Sequence, residues 1–322
     1  MPPVDRKNPV RAKASESSFS LMEFVREFPD DDACLEWLWR TRHAEDGEHA
    51  HCPRCDKQRS FKHYKNKTRT RQVWTCTSCS YQLSPTAGTI FHKSSTSLHL
   101  WFYAMWIMTS TRCGVSAKQL ERELGVTYKT AWRMFRLIRT ELMEQDDEPL
   151  NGDVEADETW ISPRRPRNTV KRARLAAGVV HKNTPHSIEY PMVFGAVERG
   201  GRVKAEVLPD SRRQTLEGKM REYVLPESLI YTDEWIGYSG LDKIGYRHRR
   251  IRHSARIYVE ADTHTQTIDG FFGMLKNAIR GVHHGVSEKW LQGYLNEYAW
   301  RWNHRDDGRA MFLTLLQRAA TS

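Results

Sequence analysis

The sequence lacks any hydrophobic run long enough to cross a membrane. Its most apolar stretch, residues 98–108, contains His99 and is shorter than the about 20 residues that a membrane-spanning helix needs. The N-terminal residues also lack the apolar core of a signal peptide. These absences argue against a membrane or secreted protein, and we expect a soluble protein of the cytoplasm.

Acidic residues are in the minority. The 322 residues include 50 Lys and Arg against 40 Asp and Glu, which gives a formal net charge of +10. This excess favours a polyanionic partner, but charge alone does not separate DNA, RNA and acidic membranes. The chain is long enough for two or more modules, of which only one needs a large core.

Cysteine is scarce, and four of the six cysteines form two C-x-x-C pairs. Cys52 and Cys55 are separated from Cys76 and Cys79 by 20 residues, a run of basic and polar character that suits a β-hairpin. In the reducing cytoplasm, clustered thiols are more often metal ligands than disulfides. The spacing predicts a structural zinc site, because four thiolates leave no open coordination position for catalysis.

The segments on either side of the cysteines have helical patterns. Residues 1–18 are polar and predict a flexible arm, and residues 21–39 predict two short helices. Downstream, an apolar helix at 98–111 precedes a segment in which Ser116 and Thr127 are candidate helix caps and Gly125 makes a turn. The third helix carries Lys129, Arg133, Arg136 and Arg139. This order predicts a helix-turn-helix whose last helix enters a DNA major groove; a plain three-helix packing unit is the alternative.

A basic segment follows the acidic residues 141–152, which we interpret as a linker. Residues 163–174 contain six basic side chains and no acidic one: Arg164, Arg165, Arg167, Lys171, Arg172 and Arg174. We expect a loop that binds phosphates, although a solvated loop has the same composition.

The C-terminal half alternates strand and helix patterns. Residues 192–197 and 203–208 predict a hairpin, 213–224 a helix, 229–231 a strand and 264–280 a long helix. A mixed sheet flanked by helices is therefore expected. In a last helix, the aromatic stripe Trp290, Tyr294, Tyr298 and Trp302 predicts core packing, with base stacking as the alternative. Arg301, Asn303, His304 and Arg305 at its end suit either phosphate contacts or a solvated terminus.

Three acidic residues in this half are candidates for a metal site. Asp157 and Asp233 each follow an apolar run typical of a buried strand. Asp269 shares one face of the long helix with Gln266, Gly273, Lys276 and Arg280. Such carboxylates can bind a pair of divalent ions, whereas the alternative for the helix face is a solvated surface. Among the neighbouring acids, Glu155 shares Asp157's side of the strand and could assist it, and Glu158 and Glu234 should point elsewhere.

Together these motifs resemble a known family. The segments that carry the resemblance are Cys52 to Cys55 with Cys76 to Cys79, and residues 88–91, 114–139, 154–161, 232–241 and 264–280. The chain resembles the zinc-ribbon DDE transposases of bacterial insertion sequences, whose eukaryotic relatives are the Merlin elements. The resemblance implies a multi-domain α+β or α/β protein: an arm and helical lead-in at 1–45, a zinc ribbon at 46–95, a helix-turn-helix at 96–145, and a ribonuclease-H-like domain of a mixed sheet flanked by helices at 150–322.

The resemblance also implies an activity. A transposase of this kind binds the inverted repeats of its element, cleaves the element ends with Mg²⁺ or Mn²⁺, and joins the freed 3′ ends to target DNA. Asp157 and Asp233 would bind the metal ions, Asp269 would complete the site, and Lys276 would lie over the DNA backbone. Arg133, Arg136, Arg280 and the basic segment are the further DNA-binding candidates. The implied partners are double-stranded DNA and a second copy of the chain, in a homodimer or larger assembly at the bacterial nucleoid.

The third acidic position departs from the family pattern. The family usually has His-Thr-Asn-Thr-x-Glu, whereas here Gln266 and Asp269 stand at the Asn and Glu places. Aspartate is one methylene shorter, so the helix must lie closer or a water must bridge, and the enzyme could be slow or inactive. Gln266 is the alternative third ligand, and His264 is expected to hydrogen-bond at the helix start. The rival functions are a non-catalytic DNA-binding regulator, a nuclease that cuts without joining, and a domesticated, inactive transposase.

Overall fold

The structure is a computed structural model that describes residues 19–64, 73–111, 113–161, 190–251, 264–305 and 311–321. The chain divides into two compact units. The first contains the described residues of 1–87, 93–110 and 305–321, and the second those of 88–92 and 111–304. None of the helices in these ranges has the length and apolar character needed to cross a membrane.

Four helices of the first unit pack through aromatic side chains. They are α1 (Leu21–Glu27), α2 (Asp31–Arg42), α3 (Leu98–Ser110) and α9 (Met311–Thr321). Ser20 and Glu23 form a capping box at the start of α1, and Asp30 caps α2. The fully buried Phe24 has its ring centroid 5.7 Å from those of both Phe28 and Phe312. The predicted helices of the lead-in are therefore present and share an aromatic core with the last helix.

A small antiparallel sheet completes the first unit. Its strands β1 (His49–Cys52), β2 (Lys57–Tyr64), β3 (Val73–Cys76) and β4 (Gln82–Leu83) lie in sequence order. Strands β2 and β3 pair as predicted for the segment between the cysteine pairs. Trp39 of α2 stacks on Trp74 at a centroid distance of 4.7 Å and also contacts Phe61. The sheet is thus supported by a packed apolar cluster as well as by its cysteines.

The second unit begins with two helices joined by a tight turn. Helix α4 (Ala117–Leu124) is capped by the Ser116 side chain, and α5 (Tyr128–Leu137) by the Thr127 side chain. Between them Gly125 adopts the left-handed conformation with a φ of 63°, which glycine tolerates without steric cost. A π-helical turn at Ile138–Leu142 continues α5. Caps and turn lie at the predicted residues.

The rest of the second unit is built on a five-stranded mixed sheet. Its strands are β5 (Asp153–Trp160), β6 (Met192–Glu198), β7 (Val203–Leu208), β8 (Leu229–Thr232) and β9 (Arg247–Arg250), in the order β7-β6-β5-β8-β9. Neighbours among β7, β6 and β5 are antiparallel, whereas β8 pairs parallel with both β5 and β9. Helix α6 (Arg213–Tyr223) lies between β7 and β8 in the chain. The expected mixed sheet is confirmed.

The two faces of this sheet carry different side chains because the residues of a strand alternate in direction. One face belongs to an apolar cluster that includes Val154, Ala156, Phe194, Ile230, Leu216 and Tyr238. The opposite face of β5 carries Glu155 and Asp157, and helix α7 (Gln266–Ala278) contacts β5 and β6 there. Gly195 of β6 permits this approach, since a Cβ at that position would lie 2.8 Å from Ile268 Cδ1.

Side-chain amides pair with the backbone of the edge strand β7. The amide of Gln145 bonds both the N–H and the C=O of Ala205, and Asn303 does the same for Val203. Gln292 accepts from the N–H of Val207. Gln292 and Asn303 belong to α8 (Glu288–Asn303). Gln145, in the segment interpreted as a linker, therefore bonds an edge strand that would otherwise be unpaired, and Asn303 has this structural role in place of either a phosphate contact or a solvated terminus.

Candidate active site and cysteine cluster

Four cysteines of the first unit form a compact cluster. The Sγ atoms of Cys52, Cys55, Cys76 and Cys79 all lie within 4.8 Å of one another, and those of Cys52 and Cys79 are 3.5 Å apart. Tetrahedral zinc with Zn–S bonds of about 2.3 Å needs sulfur separations of about 3.8 Å. None of the four is in a disulfide. The cluster can therefore bind a zinc ion, in agreement with the spacing of its two C-x-x-C pairs.

One thiol of the cluster is favoured as a thiolate. Desolvation raises the pKa of Cys76, but hydrogen bonds from the backbone N–H groups of Ser78 and Cys79, together with those to the Cys79 and Cys52 side chains, outweigh it and lower that pKa from 9.0 to about 7. Thiolates are the form that zinc binds, and backbone N–H groups stabilise their charge. The backbone around the cluster is thus arranged for metal binding.

The first two acidic candidates lie on adjacent parallel strands. The register pairs Asp153 with Leu229 and Glu155 with Tyr231. Extending it by two residues places Asp157 beside Asp233, at the end of β8. Because alternate residues share a face, Asp157 lies on the same side of the sheet as Glu155, and Asp233, directly after β8, is close enough for its charge to act on Asp157.

The third acidic candidate approaches from helix α7. Asp269 is exposed in the first turn of that helix. Its charge contributes to raising the pKa of Asp157 from 3.8 to about 8, after the larger effects of burial and Glu158 and beside that of Asp233. The structure thus brings the three acids into one electrostatic cluster. The donor atoms of the acids are less closely spaced than those of the thiols, which form the one group of three or more His, Cys, Asp or Glu in the described residues that is close enough to hold a metal ion.

Glu158 points to the opposite face of the sheet, as predicted. Its Oε2 accepts a hydrogen bond of 2.5 Å from the hydroxyl of the fully buried Tyr238. Burial raises the pKa of Glu158 to about 7, the Tyr238 hydroxyl opposes this rise, and Asp233 adds to it. Glu158 therefore influences Asp157 through its charge while belonging to the apolar core on the other side.

The chain turns sharply after Asp233. The Asp233 Oδ1 atom accepts a hydrogen bond of 2.9 Å from the backbone N–H of Trp235, which fixes the carboxylate relative to the strand end. The Trp235 indole in turn donates to the carbonyl of Ser211. Asp233 keeps partial exposure, while Glu234 beside it is exposed.

Glu155 makes more hydrogen bonds within the fold than its position in the sequence indicates. It is fully buried, and its carboxylate accepts hydrogen bonds from Arg199 and from the first turn of α7 at Thr267 and Ile268. From the sequence, Glu155 is expected only to assist Asp157. The one clue in the sequence was its position two residues before Asp157, on the same side of the strand. His264 lies just before the helix, where its backbone carbonyl accepts from Arg199, whereas its buried Nδ1 atom makes no hydrogen bond.

The remaining residues of the predicted helix face lie along α7 and the turn after it. Lys276 is partly exposed, and Arg280, in a π-helical turn at Ile279–His283, is exposed. A Cβ at Gly273 would meet no atom within 4 Å, so this position is open. Gln266 is exposed at the start of the helix. Lys276 therefore lies on the same helix as Asp269, and Arg280 lies in the turn that directly follows it.

The other DNA-binding candidates fall into three groups. Arg133 is exposed on α5, and Arg136 is partly covered, with its guanidinium 5.9 Å from the Trp290 ring. The residues of the basic segment, Arg164, Arg165, Arg167, Lys171, Arg172 and Arg174, lie outside the described residues. Arg139 is only 2% exposed and therefore does not belong to an exposed DNA-reading face.

Arg139 instead belongs to a buried ionic cluster. Its Nε atom donates to Glu297 at 2.7 Å, and its guanidinium lies 3.6 Å from the rings of both Phe135 and Tyr294. Arg301 bonds the other oxygen of Glu297 and the carbonyl of Thr111. The phosphate-contact interpretation of Arg301 is thus wrong, because the side chain neutralises a buried carboxylate. The core interpretation of the aromatic stripe is confirmed at Tyr294 and Tyr298, both of which are buried.

Comparisons with known proteins identify the family of the chain. Residues 149–303 match the ISXO2-like transposase domain, a range that contains all three acids and Lys276. The chain is 27% identical over 280 residues to an uncharacterized protein in transposable element ISH50 of Halobacterium salinarum, an alignment that covers 84% of this chain and 91% of that protein. It is also 30% identical over 105 residues to an uncharacterized transposase-like protein of Haemophilus influenzae, covering 33% of this chain and 84% of that one. The chain therefore belongs to the ISXO2-like family of insertion-sequence transposases of the DDE type.

Proposed function

We propose that the protein is an active DNA transposase that binds the inverted repeats of an insertion sequence, cleaves the element ends and joins the 3′ ends to target DNA. The observation that carries the proposal is the cluster of Asp157, Asp233 and Asp269, which two parallel strands and one helix form inside the ISXO2-like domain. Hydrolysis of a phosphodiester requires little covalent chemistry from side chains, so positioned charges of this kind suit it.

The proposed architecture assigns a function to each part of the chain. In this proposal residues 46–95 form a zinc ribbon, 96–145 a helix-turn-helix and 150–322 a ribonuclease-H-like catalytic domain, after a lead-in at 1–45, while helices α3 and α9 within these ranges pack with the first unit. The cysteine cluster and the capped helices α4 and α5 support the first two assignments. The mixed sheet, with Asp157 inside β5 and Asp233 directly after the adjacent parallel strand β8, supports the third.

The acidic cluster fits divalent metal ions. Its donors are oxygen atoms, which Mg²⁺ and Mn²⁺ prefer. Burial, and then the charges of Glu158, Asp233 and Asp269, raise the pKa of Asp157 to about 8, and a bound cation would favour the charged carboxylate against these effects. Asp157, Asp233 and Asp269 would hold the ions, with Gln266 as an alternative to Asp269. When bound, two such ions supply the Lewis acidity for hydrolysis and strand transfer.

The basic residues hold the substrate in this proposal. Lys276 and Arg280 lie beyond Asp269 on the same chain segment and would contact the backbone phosphates next to the cleaved bond. Arg133 and Arg136 on α5 would contact the repeat, and the segment with Arg164, Arg165, Arg167, Lys171, Arg172 and Arg174 would add phosphate contacts. A homodimer or larger assembly at the nucleoid would bring two element ends together.

The test is cleavage and joining of the flanking inverted repeats by the zinc-loaded protein with Mg²⁺ or Mn²⁺. We expect Asp157→Asn and Asp233→Asn to abolish cleavage, and Asp269→Asn to reduce it strongly. Glu234→Gln, at an exposed carboxylate beside Asp233, is the matched control and should retain activity. Wild-type activity in Asp157→Asn or Asp233→Asn would refute the proposal, and wild-type activity in Asp269→Asn would point to Gln266.

A transposase-derived DNA-binding protein without catalysis is the second candidate. The loose spacing of the three acids and the shorter aspartate at position 269 favour it. It predicts binding to the inverted repeats with no cleavage in the wild type. Asp269→Glu separates the candidates further, because a gain of cleavage would show that the site is inactive only because the aspartate side chain is too short. Strand-transfer products distinguish a transposase from a nuclease that only cuts.

A further inference from the structure

We propose that Glu155 is a positioning residue that holds Asp269 in place by capping helix α7 from the neighbouring strand β5. This inference rests on the proposed function of the acidic cluster. It concerns a residue outside the three acids and depends on contacts between residues that are 112 positions apart in the sequence.

Helix α7 has no cap of its own. The first N–H groups of any helix lack partners within the helix, and the side chain of its N-cap residue Thr265 makes no capping hydrogen bond. The Oε2 atom of Glu155 accepts from the backbone N–H groups of Thr267 at 2.7 Å and Ile268 at 3.1 Å. A carboxylate at this end of a helix is also favoured by the helix dipole.

The other side of the carboxylate is fixed to the sheet. The Oε1 atom accepts from Arg199 Nε at 2.9 Å and from the Thr267 hydroxyl at 3.0 Å. Arg199 is itself held, because its guanidinium lies 3.7 Å from the Tyr231 ring and donates to the carbonyl of His264 at 2.9 Å. The His264 Nδ1 atom is 3.1 Å from Oε1 without hydrogen-bond geometry. Both oxygens of Glu155 are thus engaged by protein donors, which assigns it positioning rather than metal binding.

The geometry connects this cap with the acidic cluster. Glu155 and Asp157 lie on the same face of β5. Ile268 donates its backbone N–H to Glu155, and Asp269 is the next residue. Gly195, which pairs with Asp157 on the next strand, leaves the space in which Ile268 and Phe272 pack. Because Asp269 is a short acid, its distance from Asp157 depends closely on where the first turn of α7 lies. Glu155 and Gly195 together determine the position of the first turn of α7.

The test compares Glu155→Gln with the wild type in the full, zinc-loaded chain. Outer-shell partners of metal ligands typically contribute 10- to 100-fold to metal affinity or activity. We expect Glu155→Gln to raise the Mn²⁺ concentration for half-maximal cleavage by about 10- to 100-fold. In the double variant with Asp269→Glu, the longer acid should recover part of this loss, because it reaches further from a displaced helix. If Glu155 contributed only to global stability, Asp269→Glu would not recover the loss.

Hydrogen exchange provides a measurement that does not depend on activity. Glu155→Gln should speed exchange of the Thr267 and Ile268 amides by about tenfold or more, with less change elsewhere in the second unit. Glu297→Gln is the control, because it removes the charge of another fully buried carboxylate remote from these amides. If Glu155→Gln does not fold, Thr267→Val removes one donor to Oε1 and should produce a smaller change in the same direction.

The two proposals can fail separately. A wild type that cleaves DNA, together with a Glu155→Gln variant of unchanged metal requirement and unchanged exchange at Thr267 and Ile268, overturns the positioning inference alone. Equal loss of protection throughout the second unit, as in a general destabilisation, overturns it as well. A wild type that cleaves no DNA, with exchange in Glu155→Gln increased only at the start of α7, overturns the proposed function and supports the cap.

Discussion

Replacing Asp157 with asparagine should stabilise the protein in the absence of magnesium. Burial, and then the charges of Glu158, Asp233 and Asp269, raise the pKa of Asp157 from 3.8 to about 8. The folded state therefore binds this proton more tightly than the unfolded chain does. The stability that the carboxyl contributes is complete below pH about 4 and is lost as the pH rises through about 8. Asparagine does not titrate and avoids the loss.

The magnitude follows from the pKa difference. Each pKa unit corresponds to about 1.4 kcal/mol, so a difference of about four units sets a ceiling of about 6 kcal/mol above pH 8. Asp157 retains partial access to solvent, which screens the repulsion, and we expect about 2–3 kcal/mol. At about 2–4 °C per kcal/mol for a domain of this size, the unfolding temperature should rise by roughly 5 °C or more.

The assay is thermal unfolding of the zinc-loaded protein without magnesium at pH 8.5 and at pH 4.5. The advantage of Asp157→Asn should be large at pH 8.5 and small at pH 4.5, whereas Glu234→Gln, at an exposed carboxylate, should show little effect at either pH. Added Mg²⁺ should stabilise the wild type more than the variant, because ligand binding favours the folded state. An Asp157→Asn protein no more stable than the wild type at pH 8.5 would refute the electrostatic reasoning.

Three further predictions concern the supports of the two units. Cys76→Ser should lower the bound zinc, measured by elemental analysis, from about one ion per chain towards zero. Gly195→Ala should destabilise the protein by about 1–3 kcal/mol in urea denaturation and impair cleavage, because its Cβ would lie 2.8 Å from Ile268 Cδ1; an unchanged urea midpoint would contradict the tight packing. Glu297→Gln should destabilise by about 3–5 kcal/mol at pH 7. Burial raises the pKa of Glu297, but the Arg139 and Arg301 charges lower it to about 2. The stability that the Glu297 carboxylate contributes is therefore present above pH about 4.5 and is lost as the pH falls towards 2. A stability difference between wild type and Glu297→Gln that is unchanged at pH 3 would contradict this.

Much of the local structure could be predicted from the sequence. The capped turn between α4 and α5 follows from Ser116, Gly125 and Thr127, because caps and left-handed turns depend on residues within a few positions. The strands of the mixed sheet likewise follow from short apolar runs. The pairing of β5 with β8 does not, since nothing in either run specifies a neighbour more than 70 residues away.

The burial of charged and amide side chains cannot be predicted from the local sequence. The helical period places Arg139 with Arg133 and Arg136 as a basic residue of α5, but the partner that buries it, Glu297, lies 158 residues away. The burial of Arg301 and Asn303 is equally hard to predict, because each donates to a backbone carbonyl from a distant part of the chain, Thr111 and Val203 respectively. A basic or amide side chain has the same local pattern whether its partner is water, DNA or protein.

The sequence by itself determined the cysteine cluster, the acids that end two apolar runs and the helix that carries the third, because spacing and periodicity are local properties of the chain. Only the tertiary structure decided which acids meet, which bases are buried, and that Glu155 holds the helix of Asp269. Those outcomes depend on contacts between distant residues, such as the 112 positions between Glu155 and Thr267 and the 158 between Arg139 and Glu297, which form only when separate parts of the chain pack together.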